Sequence, residues 1–166
     1  MGFLFRDWIY RHLISYESVG KRADYSLKND VLKSKIEDQK TDTDITNIIE
    51  KSLALTSNTL NFSFAKCESD PNKLIVTSKA NCIGYANFFA LTCNQLLKEK
   101  GLDKTWKTKA QIGHLKFLGH DIHHYFSSPF FKDHDFVIIE NLETKEQLAV
   151  DPTISDYLKI DFVTVK

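Results

Sequence analysis

The stretch CIGYANFFALTCNQLLKEKG, residues 82–101, decides the fold. Ile83, Ala86, Phe89, Ala90, Cys93, Leu96 and Leu97 recur at helical spacing and share one face. Lys98 and Lys100 fall in the last turn, where cations complement the helix dipole, and Gly101 is a natural stop. Directly afterwards the period changes from that of a helix to that of a strand. Trp106, Thr108, Ala110 and Ile112 alternate with Lys107, Lys109 and Gln111, the pattern of a half-buried strand.

Upstream of this helix, residues 3–16 read as an amphipathic helix, with Phe5, Trp8, Ile9, His12, Leu13 and Tyr16 on its inner side. Residues 20–42 are polar and weakly patterned, with a short helix expected around Val31, Leu32 and Ile36. A further helix is expected from Asp42 or Thr43, its stripe formed by Ile45, Ile48, Ile49, Leu53 and Leu60. Residues 61–81, which contain Pro71 and a short apolar run at 74–76, read as irregular. Downstream, further strands are expected at residues 115–118, 134–140, 145–151 and 160–165. Helices come first and an antiparallel sheet second, so the fold class is α+β, with the helix at residue 82 packed on the sheet.

The chain has 166 residues, of which 42% are hydrophobic and 12% aromatic, enough for one compact domain with a real core. We read residues 1–42 as an N-terminal helical extension and residues 43–166 as the core. Twenty-two basic residues balance 22 acidic ones, which argues against a nucleic-acid or membrane surface. The lysines of residues 28–40 are interleaved with Asp30, Glu37 and Asp38 and read as a solvated face. No stretch is long and apolar enough to insert in a membrane. The first residues are broken by Arg6, Asp7 and Arg11, unlike a signal peptide, and Arg6 breaks the myristoylation pattern that Gly2 would begin. Three cysteines, Cys67, Cys82 and Cys93, do not make a disulfide framework. They tilt the localisation towards the cytoplasm and leave a periplasmic or secreted one open. Nothing in the sequence sets the oligomeric state.

Cys82 stands at the N-terminus of the clearest helix. Unpaired backbone N–H groups and the dipole there favour a thiolate, and the same N–H groups suit an oxyanion. Such a nucleophile needs a base. Of six histidines, His134 opens a good strand, HDFVIIE, followed by the turn residues 141–144 and a second run ending at Asp151. If Glu140 faces Lys145 in this hairpin, His134 faces Asp151, with Cβ atoms roughly 4.5–5.5 Å apart. A carboxylate there would orient the imidazole. Asp133 and Asp135 are local competitors, although alternation points Asp135 to the other face of the strand. Cys93 lies on the helix's apolar stripe and reads as core, and Cys67 as an incidental loop thiol.

His114, His120, His123, His124 and His134 crowd into a short span. His120-x-x-His123-His124 has the residue types for part of a metal site, yet neither an H-E-x-x-H pattern nor a cysteine pair accompanies it. We read it as a loop shaping a cleft and expect no metal and no cofactor. The run YFSSPFF before His134, ending in Phe131, reads as an apolar substrate wall or as core.

Three blocks together resemble the transglutaminase-like superfamily, which has the papain-like cysteine protease fold. Residues 80–101 resemble its nucleophile helix, HDFVIIE its His strand, and Val150-Asp151-Pro152-Thr153 its Asp strand. They occur in the family's order and span a little under half of the chain. Two positions depart from the usual pattern: Ala80 stands where Gly is common, and Asp135 where an aromatic residue often follows the His. The resemblance implies a nucleophilic Cys82, His134 as general base and then acid, and Asp151 orienting the imidazole. The N–H of Cys82 would serve the oxyanion, and its neighbour Asn81 is the candidate second donor. It further implies acyl transfer through a thioester, first of all hydrolysis of a peptide or amide bond in a protein or peptide substrate. A catalytically silent binding domain, a transamidating enzyme and a metal-dependent hydrolase built on the His loop remain as alternatives.

Overall fold

The structure is a computed structural model that describes residues 2–123, 125 and 133–166. Its elements run α1 (Gly2–Leu13), β1 (Ile14–Lys21), α2 (Asp30–Glu37), α3 (Ile45–Thr59), β2 (Asn61–Phe62), α4 (Pro71–Thr77), β3 (Lys79–Ala80), α5 (Cys82–Glu99), β4 (Trp106–Phe117), β5 (His120–Asp121), β6 (His134–Asn141), β7 (Gln147–Val150) and α6 (Pro152–Leu158). The fold is mixed α+β, with six helices among the described residues and an antiparallel sheet.

Helix α5 is the centre. Its start is fixed by Asn81, whose Oδ1 accepts from the backbone N–H of Ile83 at 3.2 Å and of Gly84 at 3.3 Å. Residues on all sides of it are buried, including Tyr85, Phe88, Phe89, Cys93, Leu96 and Leu97. A helix apolar all round must be surrounded. Strands β4 and β6 pack on one flank and α2, α3, α4 and α6 on the others.

The sheet has strand order β1-β4-β6-β7, with β5 paired to the end of β4. Alternation gives it two apolar faces. Ala110, Val137, Ile139 and Val150 turn towards α5, and Phe136, Leu115, Tyr16 and Ala149 form a second cluster on the far face. Tyr10 of α1 and Val163 and Val165 of the C-terminal segment cover that second cluster.

Four differences from the sequence reading have physical causes. The N-terminal helix stops at Leu13, and Ile14–Lys21 pairs with β4. The segment read as a helical extension therefore supplies a strand of the main sheet, with Tyr16 fully buried. Second, the runs expected at 106–112 and 115–118 are one strand. Gly113 keeps it continuous, since a Cβ there would lie 2.6 Å from the Phe136 ring and 2.9 Å from the His134 carbonyl oxygen. Third, residues 71–77 and 152–158 are helices, each begun by an Asp N-cap with Pro in its first turn. Fourth, no strand forms at residues 160–165. That segment makes an isolated parallel bridge, Tyr16 with Val165, and N–H···O bonds to Ala149 and Tyr16.

The β6–β7 hairpin also has a different register. Glu140 faces Gln147, not Lys145, and Val137 faces Val150. Asn141 causes the longer turn: its Oδ1 accepts from the N–H of Glu143 and Thr144, and its backbone N–H donates to the Glu146 carbonyl. The slip is two residues, so every side chain keeps its face.

Candidate functional site

Cys82 is the first residue of α5 and is 8% exposed. His134 is the first residue of β6 and is 1% exposed. Asp151 follows the last residue of β7, caps α6 and is fully buried. His134 Nε2 and Asp151 Oδ2 lie 2.5 Å apart. The register places Asp151 diagonal to His134, not directly opposite, and the chain's turn into α6 carries the carboxylate to the ring. Its other oxygen, Oδ1, accepts from the N–H of Thr153 at 3.0 Å and of Ile154 at 3.1 Å. One carboxylate thus starts a helix and holds an imidazole. Tyr85 helps to fix that helix on α5, its hydroxyl donating to Asp156 of α6 at 2.9 Å.

Burial disfavours the imidazolium form of His134, but the Asp151 charge, their hydrogen bond and the nearby Cys82 outweigh it and raise the pKa to about 10. At neutral pH the ring is an imidazolium, and it lies against Cys82 at the start of α5. Asn81 Oδ1 occupies the N–H groups of Ile83 and Gly84, so the N–H of Cys82 itself is the first-turn donor that the cap does not use. The side-chain oxygen of Asn81 caps the helix. Phe131 lies outside the described residues.

Two tyrosines complete the cluster and were not legible as site residues. The Tyr16 hydroxyl donates to Asp151 Oδ2 at 2.8 Å, and the Tyr10 and Tyr16 oxygens are 2.6 Å apart. Tyr16 gives its one proton to the carboxylate, so Tyr10 donates to Tyr16. Burial, then the Asp151 charge, raises both phenol pKa values, and both tyrosines stay donors. Tyr16 matched a helical stripe in the sequence, and only its place in β1 reveals the role.

The competing groups are engaged elsewhere. Asp135 faces the α5 side and receives Arg22 in a fork, Nε at 2.7 Å and a terminal nitrogen at 2.9 Å. Burial raises the Asp135 pKa, with Arg22 opposing. Cys93 accepts from Thr108 Oγ1 at 3.2 Å within the core, and burial pushes its thiol up to about 11. Among the other histidines, His12 stacks on Trp8, while His114 and His123 stack on each other beside Asp133. His120 lies in β5, and His124 is outside the described residues.

No protein-family model matches this chain, and no curated protein matches it. Among the described residues no helix is long and apolar enough to cross a membrane.

Proposed function

We propose that this protein is a cysteine-nucleophile acyl-transfer enzyme of the transglutaminase-like, papain-fold kind, which hydrolyses a peptide or amide bond. The observation that carries the reading is the buried His134–Asp151 pair beside Cys82 at the start of α5. The three residues come from a helix N-terminus, a strand start and a strand end, the arrangement that the sequence resemblance implies.

The Cys82 thiolate attacks the acyl carbon, and the carbonyl π electrons move to oxygen. The Cys82 N–H stabilises that oxyanion. His134 gives its proton to the leaving amine as the C–N bond breaks, and a thioester to Cys82 remains. Water, losing a proton to His134, then attacks the thioester and releases the acid and the thiolate. An amine in place of water would give transamidation from the same thioester. Asp151, held by Tyr16 and the α6 N-terminus, keeps the imidazole oriented through both steps.

A second reading, a silent binding domain, draws on the burial of both Cys82 and His134. The test is incubation with an activated acyl donor such as a nitrophenyl ester, followed by intact-mass and peptide mass spectrometry. The enzyme reading expects a transient acyl adduct on Cys82 that is absent from Cys82→Ala. No adduct in the native chain, or the same nitrophenol release from Cys82→Ala, would favour the silent domain.

A further inference from the structure

We propose that His114, His123 and Asp133 form a binding site for a divalent transition-metal ion of the Zn²⁺ class, separate from the Cys82–His134–Asp151 cluster. Each residue offers one ligand atom, and these atoms lie within 4.8 Å of one another. Two imidazoles and a carboxylate are the donor types that such an ion takes, with room for a further ligand. Tetrahedral bonds of about 2.0–2.2 Å place ligand atoms roughly 3.5 Å apart. His114 Nε2 and Asp133 Oδ1 are already 3.7 Å apart.

The arrangement behind the ligands points the same way. Asp121 Oδ2 lies 3.2 Å from His114 Nδ1. That contact makes Nδ1 the donor and turns Nε2, as the acceptor nitrogen, towards Asp133. A carboxylate behind a histidine is the usual support for a metal-bound imidazole. The other Asp121 oxygen accepts from the His123 N–H at 2.7 Å, so one residue positions both histidines. The two rings stack with centroids 4.2 Å apart.

The three ligands come from β4, from the turn after β5 and from the residue before β6. An ion there would tie these three segments together. The sequence suggested His120-x-x-His123-His124 as the metal-like group. The fold instead recruits His114 from the strand and Asp133 from the far side of the loop.

The test uses untagged Cys67→Ser/Cys82→Ala chain, which removes the partly exposed thiol and the proposed nucleophile, either of which could itself hold the metal. Equilibrium dialysis against Zn²⁺ should retain one ion per chain, and Co²⁺ should give visible d–d absorption without a thiolate charge-transfer band. His123→Ala and Asp133→Asn, both away from the core, should lose retention while circular dichroism stays unchanged. Asp121→Asn should weaken affinity about 10–100-fold. No retained ion in Cys67→Ser/Cys82→Ala, or equal retention when His123→Ala and Asp133→Asn are added to it together, would overturn the site. Because the thiol is already absent, neither result bears on whether Cys82 is a nucleophile.

Discussion

Tyr16 Oη and His134 Nε2 meet the same atom, Asp151 Oδ2, at 2.8 and 2.5 Å. A strand near the N-terminus and a strand near the C-terminus are therefore joined through one carboxylate oxygen. Removing the phenol oxygen leaves a buried charge short of one donor and Tyr10 short of its acceptor. Hydrogen bonds to charged groups contribute about 1.5–3 kcal/mol. Tyr16→Phe should lose roughly that much, read as a lower urea midpoint with an unchanged slope.

The Arg22–Asp135 pair gives a prediction with a definite pH sense. Asp135 is fully buried, whereas the Arg22 side chain is 28% exposed. Breaking a buried pair from one side costs about 3–5 kcal/mol, and the partial exposure of Arg22 puts this one near the low end. Burial already holds the Asp135 pKa above its ordinary value, and loss of Arg22 raises it further. A folded pKa above the unfolded one means stability that is present at low pH and lost as pH rises. The deficit of Arg22→Ala should thus be larger at neutral pH than near the carboxylate range, as denaturation at the two pH values will show.

Gly84, two residues into the first turn from Cys82, has no room for a side chain. A Cβ there would sit 2.8 Å from Ala80 Cβ, 3.1 Å from Leu74 Cδ1 and 3.3 Å from the Glu68 carbonyl oxygen. Helix propensity favours Ala over Gly by about 1 kcal/mol. Overpacking costs typically 1–3 kcal/mol, and Ala80 Cβ cannot move without its backbone. Overpacking wins, so Gly84→Ala should lower the thermal midpoint rather than raise it.

How much of this was legible in the sequence follows from which signals were local. Helix α5 was readable because its stripe, cap and stop agree, β4 because its alternation is clean, and β6 because residues 136–139 are an unbroken run of Phe, Val and Ile. The Cys82, His134 and Asp151 positions rest on those elements, and a two-residue register slip did not separate His134 from Asp151 because parity was kept. Helices α4 and α6 escaped notice although Asp70-Pro71 and Asp151-Pro152 are both start signals. One lies in a polar stretch and the other was read as a strand's end. Strand β1 was hidden because Tyr16 continues the spacing of the preceding helix, and its burial depends on β4, nearly a hundred residues away. The roles of Tyr16 and Arg22 follow from that long-range pairing, which no local pattern encodes.

The central claim is that His134 activates Cys82, and the rate of Cys82 alkylation against pH tests it most directly. Iodoacetamide labelling should be followed by peptide mass spectrometry in a Cys67→Ser background, since Cys67 is the partly exposed thiol. The His134 pKa, raised to about 10, keeps the ring an imidazolium beside Cys82 throughout the neutral range. The account predicts fast labelling well below the free-thiol pKa of about 8.5, slowed in His134→Ala to the profile of an ordinary thiol. Labelling of the native chain that tracks an ordinary thiol, or that is unchanged by loss of His134, would contradict it.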